Sequence, residues 1–486
     1  MNIRVVLKYL GRVLQLEGLL MIPALLLSIG FHEPSARYAF IISIIICLII
    51  GTLFTLIPQK KMGVYAREGF TAVALAWIIL SIFGGLPFYF SGAITSPINC
   101  FFETASGFTT TGASILKEVE SLPKSILYWR SFTHWIGGMG VLVFLLAIVP
   151  MSVGKGTGET FQLMRAESPG PAVGKLTPNL RSTARILYVI YFCMTVIEVI
   201  LLLLGGMPLF DSICVSFGTA GTGGFAITNN SIAAYPSMYL QAVIAIFMML
   251  FGTNFTIYHL LLIKRFKDAL HSEELLAYLG IMGGSTLIIF LCIVGEYTNG
   301  ARALLDSYFQ VSSIMTTTGF SSVNFDLWPE LPRFILVMLM IVGACAGSTG
   351  GGLKVSRVVI LAKSARQEVG KILHPHAVRT LTVDKKTVSE SMIRSVMNYA
   401  VLYCFIIIIS SALVALDNFD METTVTAVLS CLNNIGPGLS LVGPMGNFSG
   451  FSGFAKMVLS FDMLFGRLEI FPMLMLFLPN TWRKVM

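Results

Sequence analysis

Apolar runs long enough to cross a lipid bilayer recur along the whole of this 486-residue chain, among them 38–56, 186–204, 240–263 and 396–415. A helix needs roughly 20 such residues to span the hydrocarbon. In that solvent the backbone must pair within the protein, so only helices and closed barrels span it. Runs of this length predict helices. Charged residues make up 12% of the chain, against about 25% in soluble domains, and no separate soluble domain fits between the runs. The eight cysteines form no CxxC pair, which argues against a metal cluster or a disulfide framework. Residues 1–29 open with Arg4, Lys8 and Arg12 as a signal peptide does. They lack a small-residue cleavage site and are read as structure.

Basic residues orient the chain. With the amino terminus inside, 25 of the 33 fall in clusters on one side: Arg4/Lys8/Arg12, Lys60/Lys61/Arg67, 155–185, Lys264/Arg265/Lys267, 354–394 and Arg483/Lys484. Seven fall on the other side, and Arg467 lies inside a membrane segment. The excess of Lys and Arg predicts cytoplasmic termini.

Between successive clusters one pattern recurs: an apolar helix, a short segment, a glycine motif and a second apolar helix. The motifs are Thr109-Thr110-Thr111-Gly112-Ala113-Ser114, Gly221-Thr222-Gly223-Gly224-Phe225, Thr316-Thr317-Thr318-Gly319-Phe320 and Asn433-Asn434-Ile435-Gly436-Pro437. Taking Gly112, Gly223, Gly319 and Gly436 as equivalent gives spacings of 111, 96 and 117 residues, the mark of a repeat array. The expected fold is an all-α polytopic membrane protein. Two amino-terminal helices (residues 1–68) precede four pseudo-symmetric helix–pore loop–helix units at 69–153, 182–264, 272–366 and 388–486 around one pore.

The segment before each motif (98–108, 209–219, 303–315 and 421–432) is too short to span. A short helix and a glycine motif at membrane depth read as a re-entrant loop, tolerated where it lines a watery cavity or is buried in protein. A dehydrated potassium ion needs oxygens in place of its water shell, and rings of backbone carbonyls supply them. Glycine accepts the dihedrals that aim carbonyls at one axis, and threonine hydroxyls add oxygens. One Gly-Thr-Gly run would be a weak signal, since ordinary turns contain it. Four at equivalent places are a strong one. The candidate ion-binding residues are Thr110, Thr111, Gly112 and Ala113; Gly221, Thr222, Gly223 and Gly224; Thr317, Thr318, Gly319 and Phe320; and Asn434, Ile435, Gly436 and Pro437.

These motifs resemble the Trk/Ktr/HKT superfamily of cation uptake proteins, most closely its TrkH type. The match runs over essentially the whole chain. It includes Phe101-Phe102-Glu103, the stretch Arg130-Ser131-Phe132-Thr133-His134-Trp135-Ile136-Gly137-Gly138-Met139-Gly140, residues 220–225, Gly347-Ser348-Thr349-Gly350-Gly351-Gly352-Leu353-Lys354 and Gly466-Arg467-Leu468-Glu469. The two extra amino-terminal helices, 14–29 and 38–56, favour TrkH over the shorter KtrB type. The fourth motif departs from the others at Asn434, Ile435 and Pro437, which puts strict four-fold symmetry in doubt. The resemblance implies a homodimer in the bacterial inner membrane, one pore per subunit. It also implies a cytoplasmic ring of TrkA type that binds nucleotides, potassium as the ion carried, and no other cofactor and no nucleic acid. The basic loops 154–185 and 363–386 suit docking of such a ring, or simply obey the charge rule.

Two features suggest gating. Residues 343–352 hold five glycines, Gly343, Gly347, Gly350, Gly351 and Gly352, which would cost a helix about 5 kcal/mol relative to alanine. Close helix packing uses glycines at every fourth position and accounts for Gly343, Gly347 and Gly351. Gly350 and Gly352 exceed it and favour a non-helical intramembrane loop. The resemblance makes that loop a gate. Arg467, 15 residues before Trp482, is too deep to snorkel and must face a cavity or a partner. It reads as a pore charge, or as half of a structural ion pair. His134 reads as interfacial packing rather than a titrating group. Glu198 calls for a basic partner. His374 and His376 have no companions for a metal site.

Potassium selectivity is favoured over mixed potassium and sodium passage, because relatives that pass sodium carry serine where this chain has Gly112. A proton-coupled symporter of the same fold is the alternative. A transporter with inverted repeats would have halves of opposite topology, whereas these units all run the same way. No HExxH, nucleophile elbow, Walker or Rossmann fingerprint is present, so an enzyme is not expected.

Overall fold

The structure, a computed structural model, describes residues 1, 3–58, 66–138, 140, 180–373 and 380–482. Lys60, Lys61, most of the 154–185 loop, the end of the first unit after Gly140, His374, His376, Arg483 and Lys484 lie outside the described residues. Six described helices are long and apolar enough to cross a membrane: Ile3–Gly30, Pro34–Thr55, Arg67–Phe90, Arg185–Leu204, Glu273–Glu296 and Glu390–Asp417. The first of these turns at Met21, ahead of Pro23. The only strands among the described residues form a small hairpin pairing Thr382–Val383 with Lys386–Thr387.

Each unit has a leading helix, a short helix, a glycine segment and a trailing helix. The short helices are Pro97–Phe108, Leu209–Gly221, Gly300–Met315 and Met421–Leu432. Their starts follow from local chemistry. Pro97 sits in the first turn, where its missing N–H is no loss. Asn299 accepts from the Ala301 N–H, and Asp420 from the Thr423 N–H at 2.9 Å.

The trailing helices are Lys124–Gly138, Met238–Phe251, Glu330–Val342 and Gly453–Arg467. Each packs against the short helix of the next unit, first on second, second on third and third on fourth, and the fourth returns to the first. The four units therefore close into a ring. The amino-terminal pair packs outside it, with Ile3–Leu20 against Pro34–Thr55 and Ala66–Phe83.

The 240–263 run is not one straight helix. It breaks after Phe251 and resumes at Phe255–Leu262, bent by 91°, because Asn254 caps a new helix by accepting from the Thr256 N–H. The last trailing helix likewise stops at Arg467 and resumes at Phe471–Phe477, with positive φ at Glu469 and Ile470 between them. Only the break after Val342 was visible in the glycine content.

The Asp420 cap makes a simple test. Its hydrogen bonds from Thr423 hold the carboxyl below its usual range, so its contribution is present above the unfolded carboxyl pKa of about 3.9 and fades as pH falls through the lower folded value. Asp420→Ala should cost about 1 kcal/mol in urea or thermal unfolding at pH 7. The gap between variant and wild type should narrow in acid.

Candidate functional site

All four short helices end in the same way. One residue at each helix end has left-handed φ: Thr110 at 57°, Thr222 at 53°, Thr317 at 59° and Asn434 at 56°. Its N–H returns three residues, to Gly107, Thr219, Ile314 or Cys431. The next N–H returns five residues, to Ser106, Gly218, Ser313 or Ser430, at 2.8 to 2.9 Å. This is the Schellman closure. Two residues beyond the left-handed position φ is positive again, at Gly112, Gly224, Gly319 and Gly436. Successive peptide groups of a regular strand face opposite ways. Alternating the hand of φ turns them toward the same side, at a strain of about 1–3 kcal/mol for each non-glycine residue so held.

This register corrects one expectation. Gly224, not Gly223, is the counterpart of Gly112, Gly319 and Gly436. The second segment is therefore Thr222, Gly223, Gly224 and Phe225, and Gly221 is the last residue of the short helix, packed on the His134 carbonyl. The dipeptides Gly224-Phe225 and Gly319-Phe320 carried the right alignment in the sequence.

The segments meet at backbone distance. A Cβ on Gly112 would lie under 3.0 Å from the Gly223 carbonyl oxygen. One on Gly224 would meet Thr318 O, one on Gly319 would meet Ile435 O, and one on Gly436 would meet Thr111 O in the same way. The same cyclic order recurs as in the helix packing. The four glycines line a single open-mouthed cavity of about 130 Å³, with Ala113, Lys117, Arg130 and Pro437 also in its wall. Phe225 and Phe320 are fully buried in the surrounding protein. Around the ring stand the carboxyl ends of four helices, each carrying about half a negative charge.

At the opposite end of the segments lies the loop from Gly343 to Lys354, which is non-helical as expected. Gly351 N–H donates to Thr317 Oγ1 at 2.7 Å, and Arg467 Nη1 donates to the Thr349 carbonyl at 2.7 Å. The loop is held elsewhere by Ala346 N–H on Glu274 Oε1, Cys345 N–H on the Gly252 carbonyl and Lys354 Nζ on the Gly350 carbonyl. Gly347, with φ of 69°, accepts from the Phe255 N–H.

Arg467 ends its helix, so the 15 residues from it to Trp482 are not one continuous helix. Besides Thr349 it donates to Thr110 Oγ1 at 3.2 Å and to the Gly137 carbonyl at 2.6 Å. It thus ties the first segment, the loop and the first trailing helix together. Glu469 pairs with Arg357 at 2.5 Å, and that guanidinium lies 4.0 Å over the Tyr399 ring. Reading along the chain missed Lys354, Arg357, Glu274 and Asn254 in this cluster. Their signals were thin: Lys354 closes the matched 347–354 motif, Asn254 interrupts the 240–263 run, and Glu274 and Arg357 stand near the starts of their helices.

His134 is not interfacial. It is fully buried behind the first two segments. Glu198 pairs with no basic group among the described residues; the side chain facing it is the Thr219 hydroxyl. Glu103 accepts from Arg130 at 2.7 Å, Ser114 Oγ and the Ile115 N–H, and so braces the first segment's outer end.

Residues 36–484 match the family model of TrkH, a cation transport protein. The chain belongs to the TrkH family. It is 35% identical over 493 residues to the Trk system potassium uptake protein TrkH of Salmonella typhimurium, with both chains covered in full. The Trk system potassium uptake protein TrkG of Escherichia coli (strain K12) is 31% identical over 99% of each chain. The crystal structure of the potassium transporter TrkH from Vibrio parahaemolyticus superposes with a TM-score of 0.88 at 30% identity, covering 99% of this chain and 100% of that one. Together with its apolar helices, this makes the TrkH-family chain a multi-pass membrane protein.

A side chain at Gly224 should break the ring. Gly224→Ala combines left-handed φ with a Cβ inside the Thr318 carbonyl, a cost on the order of 3 kcal/mol. Gly280→Ala, whose Cβ would meet nothing, should leave thermal unfolding of the purified protein at or above the wild-type temperature.

Proposed function

We propose that this chain carries potassium ions across the bacterial inner membrane through a channel-like pore, with the four glycine segments as its selectivity filter. The observation that carries this reading is the closed ring. Four backbone segments, alternating in hand, approach one axis at the negative ends of four helices. Such a site offers carbonyl oxygens and favourable potential to a cation that has shed water. The filter oxygens come from Thr110, Thr111, Gly112 and Ala113, from Thr222, Gly223, Gly224 and Phe225, from residues 317–320 and from residues 434–437.

Potassium is the substrate. No resident cofactor or chemical catalysis belongs to this reading. The termini are cytoplasmic, the working form is a homodimer with one pore per chain, and a nucleotide-binding ring of TrkA type docks from the cytoplasm. Those assignments rest on the charge asymmetry and on the resemblance.

The loop 343–354 acts as the gate. It occupies the filter's inner end, hydrogen-bonded to Thr317, and Arg467 clamps it there through Thr349. The guanidinium also faces ions leaving the filter. At about 5 Å and an effective dielectric of 20, its repulsion of a cation is roughly 3 kcal/mol.

Purified protein in liposomes under separate potassium, sodium and pH gradients tests the function. A reversal potential that follows potassium alone supports the channel. One that follows sodium as well, or pH, favours the mixed or proton-coupled alternatives. Arg467→Ala should raise potassium flux by up to about a hundredfold at unchanged selectivity, because clamp and charge go together. Deleting residues 348–351 should raise basal flux in the same assay, since a shortened loop no longer reaches Thr317. Lower flux from well-folded deletion protein would sink the gate.

A further inference from the structure

Three of the four glycine segments carry a serine five residues before the second residue of the segment. The equivalent positions are Ser106, Gly218, Ser313 and Ser430. In the third and fourth units that serine ties the segment's outer end to its own short helix. Ser313 Oγ donates to the Phe320 carbonyl at 2.5 Å, and Ser430 Oγ donates to the Gly436 carbonyl at 2.6 Å. The second unit has glycine there. A side chain would not fit, since a Cβ on Gly218 would lie 2.7 Å from the Phe320 ring.

The second segment is held from outside its own unit instead. His134, on the trailing helix of the first unit, is fully buried. Its Nδ1 lies 3.0 Å from the Gly107 carbonyl at the end of the first short helix. Its Nε2 lies 3.2 Å from the Phe225 amide nitrogen. A carbonyl only accepts and an amide N–H only donates, so Nδ1 carries the proton and Nε2 is the acceptor. One state of the ring satisfies both bonds, the neutral Nδ1–H tautomer. The imidazole also fills the space where Gly223 would carry a side chain, and its centroid is 4.2 Å from that of Phe225. Gly137 and Gly138, one turn on, let this helix approach Phe108 and Gly221 closely enough for the ring to reach.

We infer that His134 is a positioning residue for ion selectivity: through Nε2 it holds the second filter segment where the missing serine cannot. The inference rests on the reading of the four segments as a potassium filter. Discrimination depends on where the carbonyl oxygens sit. The Phe225 amide follows the Gly224 carbonyl directly, so releasing that amide frees the oxygen to shift.

Amide substitutions separate the two bonds. The amide of Gln reaches the place of Nε2, and that of Asn the place of Nδ1. Wild type, His134→Gln, His134→Asn and His134→Met are reconstituted in liposomes, and the potassium-to-sodium permeability ratio is read from bi-ionic reversal potentials. His134→Gln keeps an acceptor for the Phe225 amide and should retain the wild-type ratio. His134→Asn keeps only the Gly107 bond, and its ratio should fall about tenfold, the factor that 1.4 kcal/mol represents. His134→Met keeps neither bond and carries the same expected loss should the asparagine variant not fold. An unchanged ratio in a folded Asn or Met variant overturns the inference, and so does a loss in His134→Gln as large as in His134→Asn. If wild type shows no potassium selectivity at all, the filter reading itself has failed.

Discussion

Irregular backbone at membrane depth has no water to satisfy it, and the architecture follows from that constraint. A short helix that stops halfway strands its last carbonyls, and the strand after it has no sheet to join. Each short helix closes its own end with two returning bonds, from Thr111 and Thr110 in the first unit and from their equivalents in the others. The strands cannot close on themselves. They approach one another so tightly that each glycine's missing side chain leaves room for a neighbour's carbonyl. No unit can form this arrangement alone, which is why four occur in one chain and why each trailing helix packs on the next unit's short helix.

The same logic explains the broken trailing helices. Unbroken helices in the second and third units would run past the inner end of the segments. Asn254 caps a new helix beside the glycine loop, and Gly252 accepts from Cys345. The loop, the break and the segments thus satisfy each other's polar groups. Arg467 extends the network across the ring, joining Thr110 of the first unit to Thr349 of the third. A buried guanidinium is costly in lipid, and three acceptors from three different elements offset that cost. Each of those acceptors belongs to a part that must stay in register for the ring to close.

Much of the fold was legible along the chain. The short helices fall within a few residues of their expected limits, because an apolar stretch too short to span and closed by glycine has few other uses. The loop after Val342 was legible because five glycines in ten residues oppose a helix. Register within the second segment was not. Gly221, Gly223 and Gly224 offer three candidates; the Gly-Phe pair shared with the third motif points to Gly224 but is absent from the first and fourth, and the left-handed φ of Thr222 and Gly224 decides. The breaks at Gly252 and Leu468 were missed as well, since Gly252-Thr253-Asn254 and Gly466-Arg467-Leu468-Glu469 are short interruptions with apolar sequence on both sides. His134 was misplaced because a histidine beside a tryptophan looks the same in sequence at a membrane surface and buried behind the glycine segments.

By itself the sequence determined the solvent, the number of units and the chemistry available at each glycine motif, since hydropathy, period and side-chain identity are properties of residues in order. The tertiary structure alone decided which carbonyl meets which glycine, that Arg467 grips a loop more than a hundred residues away, and that His134 serves a segment in another unit. Those are contacts between distant parts of the chain. Their energies depend on ångström-scale distances that spacing along a polymer does not specify.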